Sequence, residues 1–406
     1  MNNWITKPFR DIATFPPKVS LEKEHFFSFI PMDVVNEGYK YVSPKEFKKW
    51  TGSGGAKFEN GDTLFARITP CLQNGKIAQA KNLPSGKGFG STEFFVFRGK
   101  ENVSDSDFIY YLAKTDDFRS YAIGSMVGAS GRQRADATYV GNYEVNLPPL
   151  PTQKRIASIL SAYDDLIENN LKRIKLLEEI AQRTYEEWFV KFRVNGEQLP
   201  IDETTGLPAG WKLITVNDYV EVIGKGPSLN YDFQGQKYPV INQSCIRNGE
   251  IELEKVLYAQ ELNANKEYCY LKSNDILINS MGQGTLGRVS KNVSIKNERF
   301  IIHNCITFLR AKKKLSQFQL YYFISSKQSY FISVSQGSTG QTTLKQSLVG
   351  DLEINLPANS ILNSFNNIIE PIWNQMGLLK NQNSNLKQSR DILLPRLMSG
   401  TINVES

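Results

Sequence analysis

Hydrophobic and polar residues follow two different patterns along the chain, and each pattern occurs twice. Residues 1–150 and 211–357 contain short runs of β-branched and aromatic residues between glycine, proline and polar residues, which is typical of short β-strands. Residues 151–192 and 358–398 instead carry apolar residues at alternating spacings of three and four, which predicts coiled-coil helices. We therefore predict an α+β fold with two globular, β-rich α/β segments and two long helices.

Each predicted helix has one apolar seam. The first seam consists of Ile156, Leu160, Tyr163, Ile167, Asn170, Ile174, Leu177, Ala181, Thr184 and Trp188, and adding 209 to each number gives the second seam, from Phe365 to Leu397. Two such helices would most simply pack antiparallel against each other and hold the globular segments apart. Pro371 interrupts the second helix, where a proline removes a backbone hydrogen bond at a cost of about 3 kcal/mol. We expect a bend or a restart there.

One seam position in each helix is an asparagine. We expect Asn170 and Asn383 to fall in different layers of the helix pair. A buried asparagine can specify the register of a coiled coil at some cost in stability, whereas an asparagine at a frayed or kinked turn is simply exposed to water. The sequence leaves both interpretations open.

The second half of the chain repeats the first. Residues 141–148 (GNYEVNLP) match residues 350–357 (GDLEINLP) at a constant offset of 209. Further matches lie upstream at offsets of 213 and 212, between residues 61–65 and 274–278 and between residues 75–77 and 287–289. The change in offset indicates insertions in loops, and the chain is expected to be a tandem repeat with pseudo-twofold symmetry.

These patterns divide the chain into six parts. They are a first globular segment at 1–150, a first helix at 151–192, a linker at 193–210, a second globular segment at 211–357, a second helix at 358–398 and a tail at 399–406. The linker is assigned because it is polar, rich in glycine and proline, and without periodicity.

Composition adds a polyanionic partner to this picture. The 406 residues exceed what one hydrophobic core usually fills, and 48 Lys and Arg against 41 Asp and Glu give a net charge of +7, which suits contacts with phosphate groups. The four cysteines are too sparse for a disulfide framework and are expected to be reduced. No segment has the apolar length of a membrane span or a secretory signal, so we expect no membrane partner and a cytoplasmic location.

The sequence lacks the motifs of common catalytic and cofactor sites. His25 and His303 have no second metal ligand nearby in sequence, no Gly-Lys pair is followed by Ser or Thr as a P-loop requires, and no strand leads into a G-x-G loop. Residues 146–150 (NLPPL) differ from the N-P-P-aromatic loop of amino-methyltransferases, because Leu147 is inserted and Leu150 is not aromatic. We therefore expect no enzymatic activity, no metal and no cofactor in this chain.

Three segments carry a resemblance to a known family. Residues 146–157 (NLPPLPTQKRIA), continuing to Trp188 and Phe189, resemble the central conserved helix of type I restriction-modification DNA specificity subunits. Residues 207–211 (LPAGW) resemble the start of that family's second recognition domain, and residues 393–400 (LLPRLMSG) resemble its usual ending. The second copy departs from the pattern at residues 357–360 (PANS), so the start of its helix is less well defined.

The resemblance implies a non-catalytic subunit with two target recognition domains, each reading one half of a bipartite target in double-stranded DNA. The helices would set the length of the unread spacer. It also implies assembly with two methylation subunits, which bind S-adenosylmethionine and modify adenine at N6, and with restriction subunits, which use ATP and Mg²⁺. Two alternatives are a self-contained, divergent DNA methyltransferase and a stand-alone tandem nucleic-acid-binding module.

Candidate DNA-binding residues are polar side chains on glycine-marked loops, because base reading needs hydrogen-bond donors and acceptors at the groove edges. They are Arg67, Lys76, Arg132, Gln133 and Arg134 in the first segment and Gln283, Arg288, Gln341 and Lys345 in the second. Residues 132–134 are favoured. The alternative is that these side chains contact only phosphates or water.

A cluster of large aromatic residues near the end of the first helix is a candidate partner-binding surface. Tyr185, Trp188 and Phe189 are of the type enriched in interface cores, and we expect them to contact methylation subunits. The alternative is an intramolecular brace.

Overall fold

The computed structural model describes residues 3–129, 131–232, 234–235, 237–261, 267–282, 284–293, 299–334 and 343–404. It contains two compact units. The first unit is formed by Met1–Leu171 and Gln382–Ser406, and the second unit by Lys172–Asn381. Each unit thus combines a β-rich part with portions of both long helices, so the compact units differ from the segments read from the sequence pattern.

The β-rich part of the first unit contains two larger sheets. Its strands are β1 (Ile5–Pro8), β2 (Ala13–Thr14), β3 (Phe26–Ile30), β4 (Tyr41–Val42), β5 (Glu46–Lys49), β6 (Ala56–Glu59), β7 (Thr63–Ala66), β8 (Ile77–Ala80), β9 (Lys87–Gly90), β10 (Phe94–Gly99) and β11 (Glu144–Leu147). One sheet has the order β2-β10-β7-β8-β4 and the other β5-β3-β9-β6, while β1 pairs antiparallel with β11. Its short helices are α1 (Phe9–Ile12), α2 (Ser106–Lys114), α3 (Asp116–Gly124) and α4 (Ala137–Gly141).

Helix α2 organises the core of the first unit. The Asp105 carboxylate caps it by accepting a hydrogen bond from the Phe108 backbone N–H. All residues from 108 to 113 are buried, because the helix is enclosed by the sheet that contains β7 and β10 and by the long helices. Burial of each large apolar side chain contributes about 1.5–3 kcal/mol, so this helix carries much of the stability of the unit.

The first long helix is α5 (Leu150–Tyr185), which continues as a π-helical turn at Glu186–Val190. The segment after it is not structureless. Strands β12 (Arg193–Val194) and β13 (Glu197–Gln198) form a hairpin around Asn195 and Gly196, both of which have positive φ angles. An Asn-Gly pair is the usual two-residue turn of such a hairpin.

The β-rich part of the second unit repeats this arrangement. Its strands are β14 (Lys212–Thr215), β15 (Val220–Lys225), β16 (Tyr238–Ile241), β17 (Ile246–Arg247), β18 (Glu250–Ile251), β19 (Leu257–Ala259), β20 (Ile276–Asn279), β21 (Val289–Lys291), β22 (Ile301–Ile302), β23 (Ile306–Ala311) and β24 (Glu353–Leu356). Its short helices are α6 (Val216–Tyr219), α7 (Gln317–Ser326), α8 (Gln328–Val334) and α9 (Gln346–Gly350). The second long helix, α10, spans Asn359–Met398.

The same strand pairings and the same type of buried ion pair occur within each of the two units. The antiparallel order β10-β7-β8 recurs as β23-β20-β21, and the pair β1-β11 recurs as β14-β24. In the first unit Arg98 donates to the buried Asp62 at 2.6 Å, and in the second Arg310 donates to Asp275 at 2.7 Å. Burial raises the pKa of both carboxyl groups, although the arginine hydrogen bonds oppose that effect. The predicted tandem repeat and α+β class are confirmed.

The two long helices run antiparallel within each unit. In the first unit Asp164 of α5 pairs with Arg390 of α10. In the second unit the ring of Phe189 in the turn after α5 packs 4.8 Å from Phe365 of α10, measured between centroids. Every predicted seam position is buried or half-buried. The coiled-coil periodicity therefore identified the packed faces.

Of the bend or restart expected at Pro371, the restart does not occur. Helix α10 is continuous through this residue, which is exposed, as is Asn367 four positions earlier. The carbonyl of Asn367 loses its helical donor on the solvent side, where water can replace it. On the opposite side Ile369 and Trp373 are buried in the core, and their packing holds the helix together.

The two seam asparagines do not lie in different layers, as the sequence suggested, and neither is exposed to water. Both are buried in the first unit, and the Asn170 amide N–H donates to the Asn383 side-chain oxygen at 2.9 Å. Antiparallel helices place rising numbers on one helix opposite falling numbers on the other, so these two positions meet. The positions equivalent to them by the repeat, Leu379 and Ile174, form an apolar cluster in the second unit.

A double-mutant cycle on this asparagine pair tests its role. Asn170→Leu alone leaves the Asn383 amide buried without its partner and is expected to cost about 1–3 kcal/mol of unfolding free energy. Asn170→Leu combined with Asn383→Ile reproduces the Leu379 and Ile174 layer and is expected to regain most of that loss. Urea unfolding of the wild type, of Asn170→Leu, of Asn383→Ile and of the double variant measures the coupling between the two side chains. Additive losses in the double variant would show that the two amides do not act as a pair.

Candidate nucleic-acid interface

Three loops of the first unit meet at one point beside the strand pair β7-β10. Arg67 follows β7, Glu93 precedes β10 and Ala135 precedes α4. The Arg67 backbone N–H donates to the Glu93 carbonyl at 2.9 Å, and the Ala135 N–H donates to the Arg67 carbonyl at 2.8 Å. We call this place, with the neighbouring residues 131–134, junction 1.

The second unit has the same backbone arrangement. Ser280 follows β20, Cys305 precedes β23 and Leu344 precedes α9. The Ser280 N–H donates to the Cys305 carbonyl at 2.8 Å, and the Leu344 N–H donates to the Ser280 carbonyl at 2.9 Å. We call this place junction 2. The repeat thus preserves the hydrogen bonds that join the three loops.

Junction 1 presents charged side chains. Arg134 donates from Nε and Nη2 to the Glu93 carboxylate at 2.6–3.0 Å, and this pairing lowers the pKa of Glu93. The Arg67 guanidinium lies 4.6 Å from the centroid of the Phe95 ring and donates to the Ala135 carbonyl at 3.3 Å. Arg132 is exposed on the same loop. Such a surface offers donors to a nucleic acid.

At junction 2 neutral polar side chains surround Cys305, and Lys225 donates to the Leu344 carbonyl at 3.5 Å. The Cys305 thiol donates to the Gln243 side-chain oxygen at 2.9 Å and lies 3.2 Å from Nδ1 of His303, whose ring stacks on Tyr231. Burial raises the pKa of the Cys305 thiol to about 11 and lowers the pKa of His303. Both groups are therefore uncharged near neutral pH, and the two junctions differ in chemistry although their backbones match.

The structure brings several sequence candidates together at the junctions. Arg67, Gln133 and Arg134 lie at junction 1 with Arg132 beside them, and Gln133 exchanges hydrogen bonds with Thr69. Lys345 is exposed and follows Leu344 of junction 2. Gln283 and Gln341 lie outside the described residues.

Lys76 and Arg288 line clefts and do not take part in the junction contacts. Lys76 donates to the Met32 carbonyl at 3.1 Å and borders a cleft of about 670 Å³ beside Gly38. Arg288 donates to the Gly284 carbonyl at 2.9 Å and borders a cleft of about 410 Å³ with Arg247, Asn248 and Gly249. Gly38 and Gly249, which line the two clefts, both have positive φ angles.

Sequence reasoning did not single out Glu93, Gln243, His303 and Cys305, which the structure places at the two junctions. The repeat aligns Glu93 with Cys305, but these side chains have different chemistry, so the alignment alone marked neither as functional. Only the hydrogen bonds between distant loops identify them.

Among the described residues, no group of three or more His, Cys, Asp or Glu side chains is arranged to hold a metal ion. None of the described helices combines the length and apolar character that crossing a membrane requires.

The proposed partner-binding aromatics are not on the surface. Tyr185, Trp188 and Phe189 are 3–5% exposed and belong to the hydrophobic core of the second unit. The Phe189 ring packs against Trp211 and Phe365. The assignment of these side chains to partner binding is therefore corrected to the intramolecular brace, because burial of this much apolar surface favours the core over exposure.

Comparison with known proteins identifies the family. The pattern described as "Type I restriction modification DNA specificity domain" matches residues 3–179 and again residues 208–388. The chain belongs to this family. It is a type I specificity subunit, and its two tandem recognition domains contain junction 1 and junction 2, respectively.

Relatives of this specificity subunit extend over its whole length. The MjaIX specificity subunit of Methanocaldococcus jannaschii is 27% identical over 432 residues, which cover 99% of this chain and 94% of the relative. The HindI specificity subunit of Haemophilus influenzae is 23% identical over 436 residues, covering 91% and 93%. The crystal structure of the type I system S subunit from M. genitalium has a TM-score of 0.54 at 16% identity, covers 98% of this chain and 96% of that chain, and shares the fold.

Proposed function

We propose that this specificity subunit recognises a bipartite target in double-stranded DNA and reads one half-site with each recognition domain. The observation that carries the proposal is the repeated junction. Its backbone hydrogen bonds are the same in both units, whereas its side chains differ: an Arg134–Glu93 ion pair in the first unit and a Cys305 thiol hydrogen-bonded to Gln243 in the second. Two readers with one architecture and different donors and acceptors suit two different half-sites.

The charge of the chain supports contact with the DNA backbone around those readers. A net charge of +7 favours phosphate neutralisation, which positions a protein on DNA without reading the sequence. Arg132 and Lys345 are exposed beside the two junctions and can serve this purpose. Base reading at the junctions and phosphate contact around them would then act together.

The proposal includes the partners and cofactors that the family resemblance implies. Two methylation subunits would bind S-adenosylmethionine and modify adenine at N6, and restriction subunits would use ATP and Mg²⁺. The tandem repeat supports two copies of the methylation subunit, because a pseudo-twofold repeat can present the same kind of docking surface twice. This chain would supply no catalytic group itself, and it would act in the cytoplasm, where the cell's DNA is accessible.

Adenine-methylation mapping tests this function. DNA from cells that express the chain with its cognate methylation subunit is compared with DNA from cells that lack only this chain. We expect a bipartite motif with an unread spacer that depends on the chain. Unchanged methylation would contradict the proposal, and methyl transfer by the purified chain alone would support a self-contained methyltransferase instead.

A further inference from the structure

We propose that Glu93 positions Arg134 to read a guanine in the half-site that belongs to the first unit. This inference rests on the proposed DNA recognition and assigns residue roles within it. Arg134 is the reading side chain, and Glu93 is a positioning residue that acts through it.

The geometry of the Arg134 side chain leaves the correct donors free. Glu93 accepts hydrogen bonds from Nε and from Nη2 at 2.6–3.0 Å. The edge of the guanidinium formed by Nη1 and the second hydrogen of Nη2 remains available. Guanine presents O6 and N7 in the major groove, and these two acceptors match two parallel guanidinium donors.

The Glu93 carboxylate also favours a base over a phosphate. A free surface arginine carries a full positive charge and is attracted to any phosphate. Paired with Glu93, the group is close to neutral overall, so its attraction to a phosphate is weaker, whereas its directional hydrogen bonds to a base edge remain. The pair is accessible, since the Arg134 side chain is 46% exposed and the Glu93 side chain 21% exposed.

The backbone around Arg134 is held on both sides. Its N–H donates to the Val127 carbonyl at 3.0 Å, and the Val127 N–H donates back at 3.1 Å. A second bridge joins Arg134 to Ile68, and Gln133 is hydrogen-bonded to Thr69. A side chain with a fixed backbone and a paired guanidinium loses little freedom on binding, which favours specific contacts.

The second unit lacks this pair. Thr343 bridges Met281 as Arg134 bridges Ile68, and Cys305 stands at the position of Glu93. Threonine and cysteine cannot form the bidentate donor pair that an arginine offers. The inference therefore predicts a guanine contact of this kind in one half-site and not at the equivalent position of the other.

The test uses the full-length chain assembled with its methylation subunit. Binding is measured for duplexes that carry the wild-type motif and for duplexes in which each base pair of both half-sites is changed in turn. The variants are Arg134→Ala, Arg134→Lys and Glu93→Gln. Arg132→Ala is the matched control, because it removes the same charge from the same loop without disturbing the Glu93 pair.

Arg134→Ala is expected to reduce the preference for one G·C pair in a single half-site by about 5- to 150-fold, the range for a lost bidentate base contact. Arg134→Lys is expected to lose the same G·C preference, since lysine cannot supply the fork of donors. Glu93→Gln is expected to relax the same position partly. The control should weaken all duplexes equally, and thermal unfolding midpoints of all variants should stay near the wild-type value.

Three results would overturn the inference: uniform weakening by Arg134→Ala, relaxation at a position that is not a G·C pair, or an undiminished guanine preference in Glu93→Gln. Each of these results is compatible with recognition of a bipartite motif by the wild-type complex. A wild-type complex without sequence preference would instead refute the proposed function, so the two failures are distinguishable.

Discussion

Replacing Arg390 with methionine is expected to lower the unfolding free energy of the first unit by about 3–5 kcal/mol. The Arg390 side chain is fully buried, and its Nη1 donates to the buried Asp164 carboxylate and to the Gly38 carbonyl. Without it, the Asp164 carboxylate keeps the Tyr111 hydroxyl, at 2.5 Å, as a hydrogen-bond donor but loses its compensating charge. A buried charge that loses its partner is strongly destabilising.

Urea unfolding with hydrogen exchange measures this loss and locates it in the first unit. Arg396→Met is the matched control, because Arg396 is an exposed arginine in the last turn of the same helix and its loss should cost less than about 1 kcal/mol. Combining Arg390→Met with Asp164→Leu should regain much of the stability, since both charges then disappear. Equal effects of Arg390→Met and Arg396→Met would contradict the prediction.

The equivalent layer of the second unit shows how the positions of Asp164 and Arg390 are filled without charges. By the offset of 209, Asp164 corresponds to Trp373 and Arg390 to Ala181, both of which are buried. Trp373 Nε1 donates to the Tyr322 hydroxyl at 3.1 Å. One unit fills this layer with an ion pair and the other with a large and a small apolar residue. The helix portions are therefore equivalent in geometry but not interchangeable in chemistry.

Replacing Trp188 with aspartate is expected to destabilise the second unit by at least about 4 kcal/mol. The Trp188 side chain is 5% exposed and packs against Phe365, with 5.9 Å between ring centroids. The substitution removes that packing and places a carboxylate in an apolar core. Because folded domains have only about 5–15 kcal/mol of stability in total, this loss is a large fraction of it, and the second unit should open far more often than in the wild type.

Hydrogen exchange of peptides from the second unit measures this opening. Val190→Asp is the matched control, since it introduces the same carboxylate in the same π-helical turn at a side chain that is 59% exposed. It should leave protection unchanged. Protection in Trp188→Asp equal to that in Val190→Asp would contradict the prediction. If protection is lost in Trp188→Asp as expected, a loss of subunit assembly in this variant reports unfolding of the core rather than a lost docking surface.

The sequence alone determined the tandem repeat, the α+β class and the apolar faces of both long helices. These features depend on local periodicity, which is set by 3.6 residues per helical turn and by alternation along strands. Every seam residue from Ile156 to Leu397 was consequently placed on a packed face. The family resemblance also rested on contiguous motifs, such as residues 146–157, that need no tertiary information.

Only the tertiary structure decided what covers each face and which loops meet. Periodicity identified Asn170 and Asn383 as seam positions but could not show that they pair, because that depends on the register between helices more than 200 residues apart in sequence. For the same reason the sequence predicted Trp188 on a docking surface, whereas the structure places it in the core of the second unit. Arg134 and Glu93 meet through hydrogen bonds between loops whose conformations are set by their surroundings, and no local pattern in the sequence encodes such a contact.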